Sequence, residues 1–89
     1  MKRALIRVHG RVQGVFFRHS AREKSRELKV AGCARNEPDG AVYIEAEGEK
    51  GELEQFIAWC RIGSEFAEVE KIEVSYSDEL KHFKDFVIL

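Results

Sequence analysis

Three stretches of the chain alternate apolar and polar residues, which is the pattern of a β-strand with one face toward a core. The alternating apolar positions are Ala4, Ile6 and Val8, then Val42, Ile44 and Ala46, and then Ile72, Val74 and Tyr76. The first of these strands ends near Gly10, and Phe86 with Ile88 predicts a short fifth strand.

Two further segments have the composition and spacing of helices. Residues 17–28 contain helix formers and neither Gly nor Pro. Between residues 51 and 62 the apolar residues fall at i, i+3, i+4 and i+7, which is one face of a helix. These apolar residues are Leu53, Phe56, Ile57 and Cys60. Gly63 is a natural C-terminal stop, so we expect the second helix to end there.

A β-hairpin is predicted in the middle of the chain. Residues 30–36 and 41–48 flank Glu37-Pro38-Asp39-Gly40, in which Pro fixes φ and Asp-Gly favours a tight turn. Alternation along the second of these strands places three residues away from the core. They are Tyr43, Glu45 and Glu47.

The predicted order of elements is βαββαβ followed by a short strand. Two helices must then cover one face of one sheet, which predicts an α+β fold. Its expected form is a ferredoxin-like βαββαβ sandwich, with an antiparallel sheet, both helices on one face and a short C-terminal fifth strand. Because 89 residues close a single hydrophobic core, we expect residues 1–89 to form one domain.

Composition narrows the class of protein. Apolar residues make up 44% and charged residues 35%, and the net charge is −1, so no global field attracts nucleic acid or anionic lipid. No apolar run approaches the roughly 20 residues of a membrane span, and the start of the chain lacks a signal-peptide core, so we expect a cytoplasmic protein. Cys33 and Cys60 are expected to be buried, reduced thiols.

The segment from Gly10 to Arg18 has the most unusual composition. It connects a strand to a helix and is bracketed by Gly10 and Gly14. Glycines let successive backbone N–H groups point into one concavity, and a helix N-terminus adds unpaired N–H groups, so such a loop can hold a phosphate-sized anion. Arg18 can grip two phosphate oxygens with its planar guanidinium. Spacing alone leaves open a purely structural loop with Arg18 as a solvated helix residue.

No metal site is predicted. His9, His19 and His82 are spread along the chain, and no cluster of His, Cys, Asp or Glu has zinc spacing. We therefore expect neither a metal nor a cofactor.

Two long motifs stand in register along the chain. They are Val8-x-Gly10-x-Val12-Gln13-Gly14-Val15-x-Phe17-Arg18 and Gly32-x-x-Arg35-Asn36-x-x-Asp39-Gly40-x-Val42. Both motifs resemble the signature of the acylphosphatase family, and Trp59, Gly63, residues 67–69 and Phe86-x-Ile88 extend the resemblance over nearly the whole chain. The chain departs from the family pattern at Lys29, where relatives often have Gly, and at Cys33, Ala34 and Ser64.

This resemblance implies a sheet order of 4-1-3-2 with the fifth strand at an edge, which puts Arg18 and Asn36 at the same end of the sheet. It implies hydrolysis of small acyl phosphates to a carboxylate and inorganic phosphate, with Arg18 holding the phosphate and Asn36 positioning the attacking water. The implied phosphate-binding residues are Val12, Gln13, Gly14, Val15, Phe16, Phe17 and Arg18. We expect a monomer whose only partners are the acyl phosphate and inorganic phosphate, the latter as product and competitive inhibitor.

Three other interpretations compete with hydrolysis. The sandwich fold also hosts RNA-binding modules, but the acidic residues beside Tyr43 supply stacking and phosphate attraction poorly. Acylphosphatase-like domains also begin large hydrogenase-maturation proteins, whereas this sequence stops at Leu89, which favours a free-standing hydrolase. A degenerate relative that binds phosphate without turnover is disfavoured because Arg18 and Asn36 are both present.

Overall fold

The chain folds into a five-stranded sheet with two helices packed on one face. The computed structural model describes all 89 residues. In chain order the elements are β1 (Lys2–Arg11), α1 (Phe17–Leu28), β2 (Ala31–Asn36), β3 (Val42–Gly48), α2 (Lys50–Cys60), β4 (Glu68–Ser77) and β5 (Phe86–Ile88). The sheet order is β4-β1-β3-β2-β5, and neighbours are antiparallel except β5, which is parallel to β2. The predicted ferredoxin-like α+β fold and its strand order are confirmed.

The hydrophobic core lies between the helices and one face of the sheet. Ile6 of β1 is paired opposite Ile44 of β3, and both side chains are fully buried. Phe17 of α1 and Phe56 of α2 meet this face and are also buried. Burying each such side chain stabilises the fold by about 1.5–3 kcal/mol. The face that the alternation predicted to be apolar is therefore the face that the helices cover.

The second helix ends before Gly63, where the sequence predicted its stop. It runs from Lys50 to Cys60, whereas Ile62 lies in a turn beyond it and is 74% exposed. Gly63 closes this turn, with its N–H donating to the Trp59 carbonyl and a φ of 80°. A Cβ at Gly63 would meet the Phe17 ring at 2.8 Å, so the glycine is required by close packing as well as by its φ. Neither α1 nor α2 has the length and apolarity needed to cross a membrane.

The outward face of β3 is covered by a later segment of the chain. Glu45 and Glu47 do point away from the core, but they are 7% and 2% exposed and lie beneath the segment that joins β4 to β5. The Glu47 carboxylate accepts hydrogen bonds from the backbone N–H groups of Lys81 and Phe83, and the Lys81 ammonium lies 3.0 Å from Glu45. The ion pair of Glu45 and the hydrogen bonds of Glu47 offset the cost of burying the two carboxylates. Through these contacts the two carboxylates hold the segment between β4 and β5 against the outward face of the sheet.

The two cysteines are free but differ in burial. Cys60 is fully buried, and this desolvation raises the pKa of its thiol. Cys33 is only partly buried, which corrects the expectation of two buried thiols. Desolvation, followed by the nearby Glu45 carboxylate, raises the pKa of Cys33. Both shifts favour the neutral thiol over the thiolate.

Candidate active site

The loop between β1 and α1 begins at an irregularity in strand pairing. The register between β1 and β4 shifts between His9 and Gly10, which places Gly10 opposite Val69. Gly10 has a φ of 126°, and a Cβ there would meet the Glu68 carbonyl oxygen at 2.2 Å. Only glycine fits this backbone, because any side chain would collide with the neighbouring strand. The bulge directs the chain out of the sheet and into the loop.

The loop presents a run of free backbone donors. None of the backbone N–H groups from Val12 to His19 donates a hydrogen bond to another main-chain group. Gly14 and Phe16 adopt left-handed conformations, with φ of 73° and 63°, and such residues in a loop favour an anion-binding concavity. The first turn of α1 adds the positive end of the helix dipole. Sequence and backbone together give the loop the features of an anion site.

Two side-chain contacts hold this loop against the rest of the fold. The Gln13 amide nitrogen donates to the carbonyl oxygens of Glu37 and Ala41, at 2.8 and 2.9 Å. The Ser64 hydroxyl donates to the Val15 carbonyl oxygen at 2.7 Å from a buried position. Gln13 thus joins the loop to the turn that follows β2.

Arg18 and Asn36 line one pocket of about 290 Å³ at the end of the sheet where β2 finishes. Arg18 comes from the first turn of α1, and Asn36 is the last residue of β2. The complete lining is Val12, Gly14, Phe16, Phe17, Arg18, His19, Asn36 and Ile88. The structure therefore brings together the two residues that the sequence placed far apart. Gln13 and Val15 are absent from this lining because the Gln13 side chain is directed to the turn and the Val15 side chain is buried, although the backbone N–H groups of both have no main-chain partner.

The Arg18 guanidinium is already held from one side. Its Nη1 donates to the carbonyl oxygen of Leu89 at 2.9 Å. Leu89 in turn donates its N–H to the Ala34 carbonyl, which extends the pairing of β5 with β2. The orientation of Arg18 therefore depends on the edge of the sheet as well as on its own helix.

His19 and Ile88 are pocket residues that sequence reasoning missed. His19 follows Arg18 on α1, and its Nδ1 lies 3.2 Å from the Arg22 guanidinium. An arginine can only donate, so Nδ1 of His19 accepts this hydrogen bond. Adjacency to Arg18 was a usable signal for His19. Ile88 had no local signal, because only the parallel pairing of β5 with β2 brings it to the site.

A larger depression of about 410 Å³ lies on the helix-free face of the sheet. Its charged groups are already paired: Arg7 lies 3.8 Å from the Glu37 carboxylate, and His9 lies 2.6 Å from that of Glu73. The hydrogen bond with His9 is the main cause that lowers the pKa of Glu73. This face has no run of unpaired donors comparable to the loop. No three or more His, Cys, Asp or Glu side chains are grouped so as to hold a metal ion.

Fold and pocket together define a ferredoxin-like α+β protein with an arginine, free loop amides and an asparagine around one cavity. Comparison with known proteins gives the family. The sequence matches the family model described as Acylphosphatase over residues 4–88. An acylphosphatase from Shewanella amazonensis is 46% identical over 88 residues, which are 99% of this chain and 97% of that protein.

Solved structures agree with this match. The crystal structure of an acylphosphatase from Bacillus subtilis has a TM-score of 0.97 at 38% identity, covering 100% of this chain and 99% of that chain. HypF from T. kodakarensis also matches, with a TM-score of 0.85 at 26% identity, but the match covers 100% of this chain and only 12% of that chain. The chain belongs to the acylphosphatase family and is a hydrolase of that family.

Proposed function

We propose that this protein hydrolyses the carboxyl–phosphate bond of small acyl phosphates, with Arg18 and Asn36 as its catalytic residues. The observation that carries the proposal is the single pocket that both side chains line, at the end of a loop whose N–H groups are free. The phosphate group binds the loop amides of residues 12–17 and the Arg18 guanidinium. We treat residues 1–89 as one acylphosphatase-like domain.

The reaction needs charge control and alignment more than acid–base groups. The leaving group is a carboxylate, which departs without protonation because it is already a stable anion. Phosphoryl transfer passes through a loose state with charge spread over the equatorial oxygens, and catalysis consists mostly of electrostatic stabilisation and positioning. A cationic fork and a set of aligned dipoles are suited to this task.

Atoms and electrons balance without a protein nucleophile. A water oxygen forms a bond to phosphorus while the bond from phosphorus to the acyl oxygen breaks, and its electron pair leaves with the carboxylate. The proton of the attacking water passes to the phosphate group. Products are therefore a carboxylate and inorganic phosphate, and the product phosphate competes for the same amides and the same arginine.

Arg18 is suited to hold the phosphate because its position is fixed from two sides. Its backbone lies in the first turn of α1, and its Nη1 donates to the Leu89 carbonyl oxygen. This bond uses one of the five N–H donors of the guanidinium and leaves the others for phosphate oxygens. Lysine would supply the charge without the paired geometry.

Asn36 is suited to hold the water because its carboxamide donates and accepts at once. It terminates β2, and the Gln13 contacts to the following turn fix the distance between this strand end and the loop. The water would then face the phosphate group across the pocket. In-line attack needs this opposition.

This chain is more similar in sequence to the Shewanella amazonensis acylphosphatase, at 46% identity, than to HypF from T. kodakarensis, at 26%. The alignment covers 97% of the Shewanella amazonensis acylphosphatase and only 12% of HypF. The cytoplasmic location, the monomeric state and independence from metals, cofactors and nucleic acid remain predictions.

The deciding experiment follows the ultraviolet absorbance of benzoyl phosphate with and without a chelator, beside p-nitrophenyl phosphate as an ester control. We expect chelator-resistant loss of benzoyl phosphate and little hydrolysis of the ester, whose leaving group is a poorer anion. Turnover of the ester alone, or none of either compound, would contradict the proposal.

A further inference from the structure

Phe16 is an aromatic residue in a place where neither burial nor backbone preference favours one. Its side chain is 71% exposed, although large apolar side chains usually lie in the core. Its φ of 63° is left-handed, which is unfavourable for a residue with a Cβ and uncommon for a bulky one. The other left-handed residue of the loop, Gly14, is a glycine. Backbone strain that packing does not explain is a reason to look for a function.

The pocket that Phe16 lines has more room than a phosphate group needs. Its volume of about 290 Å³ is close to the lower end, about 300 Å³, of pockets that take small organic ligands. The four oxygens of a phosphate fill roughly 120 Å³, at about 30 Å³ for each water-sized group. The rest of the pocket is available to the acyl group.

In-line attack decides which pocket wall the acyl group meets. The leaving carboxylate must point away from the water that Asn36 holds. Ile88 belongs to β5 and pairs with Ala34 of β2, so it lies beside the strand that carries Asn36. Phe16 directly precedes α1, so it lines the same pocket from a different element than Ile88 does. Phe16 is also the one exposed apolar side chain of the pocket, which makes its ring accessible to the acyl group.

We propose that the Phe16 ring binds the acyl group of the substrate and gives the enzyme a preference for acyl phosphates with an aromatic acyl group over short aliphatic ones. The inference rests on the proposed function and deepens it. An aromatic ring on Phe16 offers stacked or edge-to-face contact with a benzoyl group, whereas an acetyl group has little surface to offer it. In this proposal Arg18 and the loop amides bind the phosphate, and Phe16 binds the acyl group attached to it.

The test compares kcat/KM for benzoyl phosphate and for acetyl phosphate in Phe16→Ala, Phe16→Tyr and the unmodified protein. We expect the benzoyl-to-acetyl ratio to fall about three- to tenfold in Phe16→Ala and to stay near its original value in Phe16→Tyr. Using a ratio matters because the Phe16 amide is part of the phosphate loop. A disturbance of that loop lowers kcat/KM for both substrates by a similar factor, so its effect cancels in the ratio.

Phe66→Ala is the matched control, since Phe66 is 61% exposed and does not line the pocket. Its ratio should equal that of the unmodified protein. If the unmodified protein hydrolyses both compounds and Phe16→Ala keeps the original ratio, the role of Phe16 is refuted while the proposed function stands. If the unmodified protein hydrolyses neither, the proposed function fails and this inference fails with it.

Discussion

Replacing Gln13 by alanine tests whether the phosphate loop must be tied to the strand end that carries Asn36. The change removes two hydrogen bonds, to the carbonyl oxygens of Glu37 and Ala41. Each such bond contributes about 1 kcal/mol net, so we expect a loss of about 2 kcal/mol of stability. In a domain of this size each kcal/mol lowers Tm by about 4–8 °C.

At 25 °C most Gln13→Ala molecules should remain folded, so the loss of stability alone would lower kcat only slightly. We expect a larger fall in kcat than that. A shift of the loop relative to Asn36 misaligns water and phosphorus, and misplacement by about 1 Å costs up to about 10² in rate. Phosphate affinity should change little, because the loop amides and Arg18 remain. We therefore expect kcat to fall and the inhibition constant for inorganic phosphate to hold.

Two further variants separate hydrogen bonding from size and composition. Gln13→Glu keeps the shape of the side chain, but an ionised carboxylate only accepts and would face two carbonyl oxygens, so it should be at least as harmful as alanine. Gln55→Ala makes the same chemical change at an exposed position of α2 and should alter neither kcat nor Tm. A Gln13→Glu protein with the original kcat and Tm, measured by acyl phosphate hydrolysis and thermal melting, would refute the reasoning.

Four other substitutions test separate parts of the structure. Asn36→Ala should lower kcat by about 10²–10³ while competitive inhibition by phosphate persists; lost inhibition with retained turnover would reverse the assigned role. Arg18→Lys should weaken both phosphate inhibition and kcat, because a point charge lacks the paired contact, and unchanged kinetics would exclude Arg18 from the site. Lys29→Gly should raise stability by roughly 1 kcal/mol, since Lys29 caps α1 at a φ of 58°; a lower Tm would contradict this strain. Ser64→Ala leaves the Val15 carbonyl without its donor and should cost about 1–3 kcal/mol, and an unchanged urea midpoint would argue that this contact is weak.

Local periodicity was sufficient to predict the elements. The bounds of α1 agree with the prediction, and the hairpin forms around the Glu37 to Gly40 turn, where the Gly40 N–H donates to the Glu37 carbonyl at 3.1 Å. Such features depend on neighbours in sequence, so a single sequence contains the information for them. The predicted end of α2 was too late, because Gly63 closes a turn that follows the helix and does not end the helix itself.

Burial on the second face of the sheet was not predictable in the same way. Alternation assigns Glu47 to the side away from the helices, and that assignment is correct. No residue near Glu47 in the sequence indicates that residues 81 and 83 cover it and donate two backbone hydrogen bonds to its carboxylate. Contacts between distant segments require the fold to be known first.

The candidate site also combines features that the local sequence predicts with features that only the folded structure brings together. Glycines and Arg18 mark the loop through local chemistry, whereas the roles of Arg18 and Asn36 came from family resemblance and stay predictions until they are measured. Ile88 lines the pocket, and Leu89 contacts Arg18, only because β5 pairs with β2. Phe16 was predicted for its backbone amide, and its exposed ring became evident only in three dimensions.

The orientation of the Arg18 side chain depends on whether the short strand β5 stays paired with β2. Because β5 has a single neighbour in the sheet, we expect it to open at a lower free energy than the central strands. Each opening would withdraw the Leu89 carbonyl from Arg18 and free the guanidinium to sample other rotamers. On warming, turnover would then decline with the fraying of this strand, at temperatures where the central strands still protect their amides from hydrogen exchange.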